Sequence, residues 1–136
     1  MTTALPLTLH LLILIGLYEA AVGLAGLTRQ ISWPAMIDEF ERSPALTFVI
    51  GLVAFAIGGT LILVHCIWTD LLAGIVSLIA WIALAEGLLI MVMPRPLLAF
   101  SRRLAGNQRL ISILALLFGA LLIILGLTGR TDATLI

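Results

Sequence analysis

Long apolar stretches separated by short polar segments dominate this chain. Four of these stretches hold at most one charged residue each and are bounded by proline, arginine, histidine or aspartate. Each is about as long as the roughly 20 residues with which a helix crosses a bilayer. We predict helices, because an isolated strand would leave its backbone polar groups unpaired in lipid. The predicted spans are residues 7–28, 44–64, 71–93 and 110–129.

The first stretch is interpreted as a retained span and not as a cleaved signal peptide. No lysine or arginine precedes it in MTTALPLTLH, and it is longer than the apolar region of a typical signal peptide. The four predicted helices therefore make an all-α membrane protein. We expect residues 1–136 to form a single membrane domain, folded as a four-helix bundle.

Arginine placement predicts the orientation in the membrane. Six of the seven arginines lie in the connections 29–43 and 94–109, whereas the amino terminus and the HCIWTD turn hold none. Because positive residues are retained on the cytoplasmic side, both connections are predicted to be cytoplasmic. Both termini are then on the outer, periplasmic side of a bacterial inner membrane.

Both arginine-rich connections carry the pattern of a short amphipathic helix. Apolar residues recur at helical spacing while charged residues fall on the opposite face, and Ser32 with Pro34 fits a helix start. We predict interfacial helices lying at the level of the lipid headgroups. Docking of a soluble partner or regulation by anionic lipid is the alternative. The apolar positions are Trp33, Met36, Ile37 and Phe40 in the first connection and Leu97, Phe100 and Leu104 in the second.

The two halves of the chain share an order of features that predicts an internal repeat over residues 7–65 and 70–129. Each half reads as a span with one glutamate, a proline-led segment containing Phe-x-Arg, and a span with glycines seven residues apart. A parallel repeat of this kind places its two glutamates at similar depth. The matching residues are Glu19, Phe40, Arg42, Gly51 and Gly58, and Glu86, Phe100, Arg102, Gly119 and Gly126.

The second half also resembles a known family. The stretch EGLLIMVMP, residues 86–94, followed by RLIS and Gly119, is similar to the small two-helix bacterial inner-membrane proteins of the YjeT-like type. The resemblance covers about 40 residues, and Ser112 stands where that family tends to have glycine. It implies an inner-membrane location and a non-catalytic role.

Glu19 and Glu86 are the two acids inside predicted spans. A carboxylate there costs several kcal/mol unless it is protonated or paired, and no span contains lysine or arginine. Glu19 shares its helix face with Gly16, Gly23 and Gly26, which would allow a close helix contact. The glycines predicted to serve helix packing are Gly16, Gly23, Gly26, Gly51, Gly58, Gly119 and Gly126.

These acids leave two function classes open. In the first, the protein is a structural or accessory membrane subunit that packs with itself or with a larger membrane complex, and the glutamates are protonated donors between helices. In the second, it is a small proton- or ion-coupled transporter or channel that uses Glu19 and Glu86. We favour the first class.

Composition supports a membrane location and argues against a nucleic-acid partner. Hydrophobic residues make up 62% of the chain and charged residues 10%, against roughly 25% charged residues in soluble domains. The formal net charge is zero, which gives no positive field to attract nucleic acid. The single cysteine, Cys66, has no partner for an intramolecular disulfide.

A possible metal site is the one sequence feature that could support an enzymatic function. His10, His65, Cys66 and Asp70 are all predicted near the outer face, and histidine with cysteine or aspartate can bind zinc. Asp70, however, is well explained as a helix cap, and His65 and Cys66 point apart on a continuing helix. We therefore predict no bound metal, no cofactor and no enzymatic activity.

Overall fold

The chain folds into helices of two lengths. The computed structural model describes residues 1–131, so the last part of the predicted domain, residues 132–136, lies outside the described residues. The helices of the described part are α1 (Pro6–Leu27), α2 (Trp33–Arg42), α3 (Pro44–Val64), α4 (Leu71–Val92), α5 (Pro94–Ala105) and α6 (Gln108–Thr128). Two short strands, β1 (Thr2–Thr3) and β2 (Arg130–Thr131), pair in parallel near the chain ends.

The long helices α1, α3, α4 and α6 confirm the all-α prediction. They contain 21 or 22 residues with mean hydropathy between 1.9 and 3.0, so each is long and apolar enough to cross a membrane. The bounds of α3 match the predicted span, and those of the other three differ by one or two residues. The largest difference is at α6, which begins at Gln108 because Arg109 can join the first turn with its side chain exposed.

Proline and hydrogen-bonding side chains set the helix starts. Proline occupies the first turn of α1, α2, α3 and α5, where its missing N–H costs nothing. Ser32 accepts a hydrogen bond from the Ala35 amide at the start of α2, as its sequence pattern predicts. Asp70 caps α4 in the same way, accepting from the Ala73 amide at 2.8 Å.

The four long helices form two close pairs, α1 with α6 and α3 with α4. Glycines lie where the paired backbones meet, since a side chain would not fit there. A Cβ atom added to Gly16 would lie 2.7 Å from the Gly119 carbonyl oxygen, and one added to Gly51 would lie 3.0 Å from the Gly87 carbonyl oxygen. Close packing of small residues is the usual contact between helices in lipid.

The two pairs meet mainly at one end of the molecule. This end carries the start of the chain, His65 directly after α3, and the start of α4. We call it the histidine end. There α1, α4 and α6 bury a small core of Leu12, Leu72, Val76 and Leu122. At the opposite end, the arginine end, α2 packs against α5.

Large apolar faces remain uncovered. Only 17% to 28% of the most apolar part of each long helix is buried. The accessible surface is 8481 Å², against about 6,900 Å² for a soluble globular protein of this mass. The helices therefore present apolar side chains outward to an extent that suits lipid or a second membrane protein.

Adjacent glycines on α3 give a matched test of the helix pairing. An alanine Cβ at Gly58 would meet the Ala80 carbonyl oxygen at 2.9 Å, whereas one at Gly59 would meet only the Leu84 side chain at 3.7 Å. We expect Gly58→Ala to lower the free energy of unfolding in detergent by about 1 to 3 kcal/mol. Gly59→Ala should leave it unchanged or raise it by up to about 1 kcal/mol. Equal effects of the two substitutions would contradict the assigned contact.

Candidate functional site

Glu19 and Glu86 lie on the sides of α1 and α4 that face the shared core. Glu19 is seven residues beyond Leu12, and Glu86 is seven residues beyond Ile79. Seven residues are close to two helical turns, so each glutamate continues the face of its helix that packs into the core at the histidine end. Both helices start at the histidine end, and the two carboxyl groups are therefore carried toward the middle of the spans.

The two glutamates have no hydrogen-bond partner among residues 1–131, the part of the chain that the structure describes. Glu19 is half-buried and Glu86 is exposed. Within residues 1–131 neither side chain makes a hydrogen bond. The two side chains belong to helices α1 and α4, which contact each other. This part of the molecule thus offers two uncompensated carboxyl groups on one seam, and we refer to them as the carboxyl pair.

The predicted packing glycines lie beside the carboxyl pair and not between its members. Gly16 and Gly23 are buried against the backbone of α6, and Gly26 is buried against Ser112 and Trp33. The remaining predicted glycines are also buried in helix contacts, Gly51 and Gly58 between α3 and α4, and Gly119 and Gly126 between α6 and α1. Glu19 itself is half-buried.

A buried histidine closes the histidine end. His65 is 1% exposed, and its ring Nε2 lies 2.8 Å from the Thr8 hydroxyl oxygen on α1. Its Nδ1 is buried without a hydrogen-bond partner in the part of the chain described. Ser77 fixes the following turn, donating to the Ile67 carbonyl oxygen at 2.8 Å and accepting from the Ile67 amide at 2.9 Å. This cluster links α1, the end of α3 and α4.

Asp70 ties the amino-terminal segment to α4. Its carboxylate accepts hydrogen bonds from the Thr3 hydroxyl at 3.0 Å and the Ala4 amide at 3.3 Å, in addition to the Ala73 cap. Partial burial would raise the pKa of Asp70, but the Ala73, Thr3 and Ala4 hydrogen bonds outweigh it and hold the pKa below its ordinary value. The folded structure therefore favours the ionised carboxylate of Asp70.

The candidate metal ligands at this end are engaged separately. The exposed His10 hydrogen-bonds through Nδ1 to the Pro6 carbonyl oxygen at 2.9 Å, and Cys66 is an exposed free thiol. His65 turns inward to Thr8, and Asp70 serves the helix cap. Across residues 1–131, no three histidine, cysteine, aspartate or glutamate side chains converge as metal ligands would.

An ion-pair clamp joins α2 to α5 at the arginine end. Arg102 donates to Asp38 at 2.7 Å and to Glu41 at 2.8 Å. Its hydrogen bonds to Asp38 and Glu41 raise the pKa of the Arg102 guanidinium further above its ordinary value. Of the predicted apolar positions on these helices, Ile37 is buried, Trp33, Met36, Phe40 and Leu97 are half-buried, and Phe100 and Leu104 are exposed.

Several polar residues of these clusters were missed by the sequence analysis. Thr8, Ser77 and Ser112 are buried inside long apolar helices and hydrogen-bond to other elements. Gln108 likewise connects α6 to the chain around Trp33. The available signal was an isolated hydroxyl or amide within an otherwise apolar stretch, since such a group must find a partner when buried.

Removing the Asp70 carboxylate tests the link at the histidine end. We expect Asp70→Ala to lower the free energy of unfolding by about 1 kcal/mol at neutral pH, the usual loss for a helix N-cap. Because folding lowers the pKa of Asp70, its contribution is present above the ordinary carboxyl pKa and is lost as the pH falls through the lower folded-state value. Thermal unfolding in detergent at neutral and acidic pH measures both effects.

The matched control is Asp70→Asn, which can still accept a hydrogen bond at the cap but does not titrate. It should keep most of the neutral-pH stability and lose this part of the acid dependence. Wild-type unfolding of Asp70→Ala at every pH would contradict the assignment.

Comparison of the chain with protein-family models, curated proteins and solved structures finds no match. The function is therefore inferred from the geometry of the molecule itself. Its main polar features are the carboxyl pair between α1 and α4, the buried His65 at one end and the Arg102 clamp at the other.

Proposed function

We propose that this chain is a structural or accessory subunit of a bacterial inner membrane that packs with itself or with a larger membrane complex. The observation that carries the proposal is the exposure of Glu86 within the apolar helix α4, six residues before its end at Val92, with no hydrogen-bond partner in residues 1–131. A carboxyl group left in lipid costs several kcal/mol. A neighbouring protein that supplies a hydrogen-bond partner removes that cost.

The form of the carboxyl pair follows from its surroundings. No lysine or arginine lies within α1 or α4, so an ionised pair would place two like charges in an apolar setting. Protonated glutamates can instead donate hydrogen bonds to hydroxyl or carbonyl oxygens of a partner helix. Glu86, the more exposed member, is the expected contact.

The apolar faces of the long helices support a membrane assembly. Large apolar side chains are exposed on three of the long helices, at Leu63 on α3, Leu78 on α4 and Leu117 on α6. Such faces are stable against lipid tails and also against another apolar helix. We propose that part of this surface is lipid-facing and that the part around Glu86 is covered in an oligomer.

We also propose that the two halves arose as a parallel repeat. The first long helix of each half packs on the last long helix of the other half, α1 on α6 and α4 on α3. A two-fold axis that relates the halves would map the α1–α6 contact onto the α4–α3 contact. Glu19 and Glu86 then correspond, as members of the carboxyl pair. The resemblance of the second half to two-helix YjeT-like proteins agrees with this proposal and with a non-catalytic role.

A second candidate function is proton- or ion-coupled transport. The specific observation in its favour is that α1 and α4, the helices that carry the two carboxyl groups, contact each other between the two helix pairs. Intramembrane carboxylates are common sites for protons and cations in transporters. In this case Glu19 and Glu86 would hold the ion or proton together.

Substitutions of Glu86 separate the two candidates. Glu86→Gln keeps a donor of nearly the same size, so a packing role predicts a wild-type assembly mass in mild detergent. Glu86→Leu removes the hydrogen bond and should weaken helix association by roughly 1 to 2 kcal/mol, seen as dissociation at a higher protein concentration. A Glu86→Gln protein that assembles normally but loses a measured ion flux in proteoliposomes would favour transport.

The proposed orientation is tested by labelling thiols in intact cells. Native Cys66 is exposed and lies at the predicted outer end, so a membrane-impermeant maleimide should label the wild type but not Cys66→Ser. In the Cys66→Ser background, Thr69→Cys should label, whereas Gln30→Cys and Asn107→Cys should label only after permeabilisation. All three positions are exposed. The reverse pattern would place the arginine end outside.

A further inference from the structure

A groove with two arginines lies at the arginine end, between the end of α1 and the start of α6. Its volume is about 520 Å³, and its polar lining comes from Arg29, Ser32, Gln108 and Arg109. Leu27 and Ile31 contribute apolar walls. We call it the arginine groove. It is separate from the carboxyl pair and plays no part in the proposed assembly through Glu86.

The charge in this groove is not compensated. Among residues 1–131, no acidic residue lines it and neither Arg29 nor Arg109 forms an ion pair; the ion pairs at this end are those of Arg102. A second groove of similar volume, about 540 Å³, lies beside α3 and α4. That groove contains Glu41 together with Arg95, so its charges balance. Of these two grooves, only the arginine groove has a net positive lining.

Gln108 holds the wall of the arginine groove in place. Its side-chain amide donates to the Gly26 and Ile31 carbonyl oxygens, both at 2.9 Å, and its oxygen accepts from the Trp33 amide at 3.1 Å. These bonds tie the segment after α1 to the first turn of α6. Arg29 and Arg109 are therefore presented by a preformed surface, which lowers the ordering cost of binding.

From this lining we infer that the arginine groove binds a phosphate group, presented by an anionic phospholipid headgroup or by a free phosphate. Guanidinium groups form paired, charge-assisted hydrogen bonds with phosphate oxygens. The groove lies where α1 ends and α6 begins, beside Trp33, so in a bilayer it would be level with the headgroups. Leu24 and Leu110, which are close in sequence to the lining residues Leu27 and Arg109, are exposed and could contact acyl chains.

The test compares two charge-matched variants of the full chain. Arg29→Gln/Arg109→Gln removes both groove cations, and Arg42→Gln/Arg103→Gln removes two exposed cations outside the groove at the same end. Both variants lose the same general attraction for an anionic bilayer. We expect the groove variant to bind phosphatidylglycerol on the order of tenfold or more weakly than the control in native mass spectrometry of lipid titrations in detergent.

A single substitution provides a second test in case the double variant misfolds. Arg29 has a left-handed backbone with φ of 56°, a conformation that suits glycine. Arg29→Gly therefore removes a groove cation without straining the chain. It should fold normally and bind phosphatidylglycerol more weakly than the control variant.

Inorganic phosphate distinguishes the two sources of the ligand. Displacement of the lipid by millimolar phosphate would support a free phosphate as the ligand, and retention of the lipid would support a headgroup. Equal lipid binding by Arg29→Gly, the groove double variant and the control would overturn the phosphate site. All of these variants keep Glu86, which does not line the groove, so their comparison is independent of the assembly proposed for Glu86.

Discussion

Close approach of helix backbones at glycine is the contact on which the rest of this structure depends. Gly16, Gly23 and Gly119 bring α1 against α6, and Gly51, Gly58 and Gly87 bring α3 against α4. Apolar side chains gain little by leaving lipid for another apolar surface, so dense packing has to supply the association energy. Once both pairs are formed, their polar residues can only meet at the two ends and along the seam between α1 and α4.

The ends of the molecule are consequently where the pairs are joined by polar contacts. At the histidine end, Thr8 and His65 form a buried hydrogen bond between α1 and the end of α3, beside the small core around Leu12. At the arginine end, the clamp of Arg102 with Asp38 and Glu41 joins α2 to α5. Between these ends the seam carries the carboxyl pair, for which residues 1–131 supply no hydrogen-bond partner and no ion pair.

Both functional proposals therefore concern polar groups that the chain's own packing leaves unused. The carboxyl pair is uncompensated in the middle of the spans, which favours a protein partner or a bound proton or cation. The arginine groove is uncompensated at the level proposed for the headgroups, which favours an anion. Under these proposals, one chain would offer an acidic contact within the membrane and a basic contact at its surface.

Sequence alone determined the six helical segments, since apolar length, amphipathic spacing, prolines and caps such as Ser32 and Asp70 are local properties. It also located Glu19 and Glu86 inside apolar helices. Only the tertiary structure decided that α1 pairs with α6, that His65 turns inward to Thr8, and that Glu86 remains exposed. These outcomes join residues far apart in the chain. They depend on which helix faces meet, and a local pattern of apolar residues does not specify which faces those are.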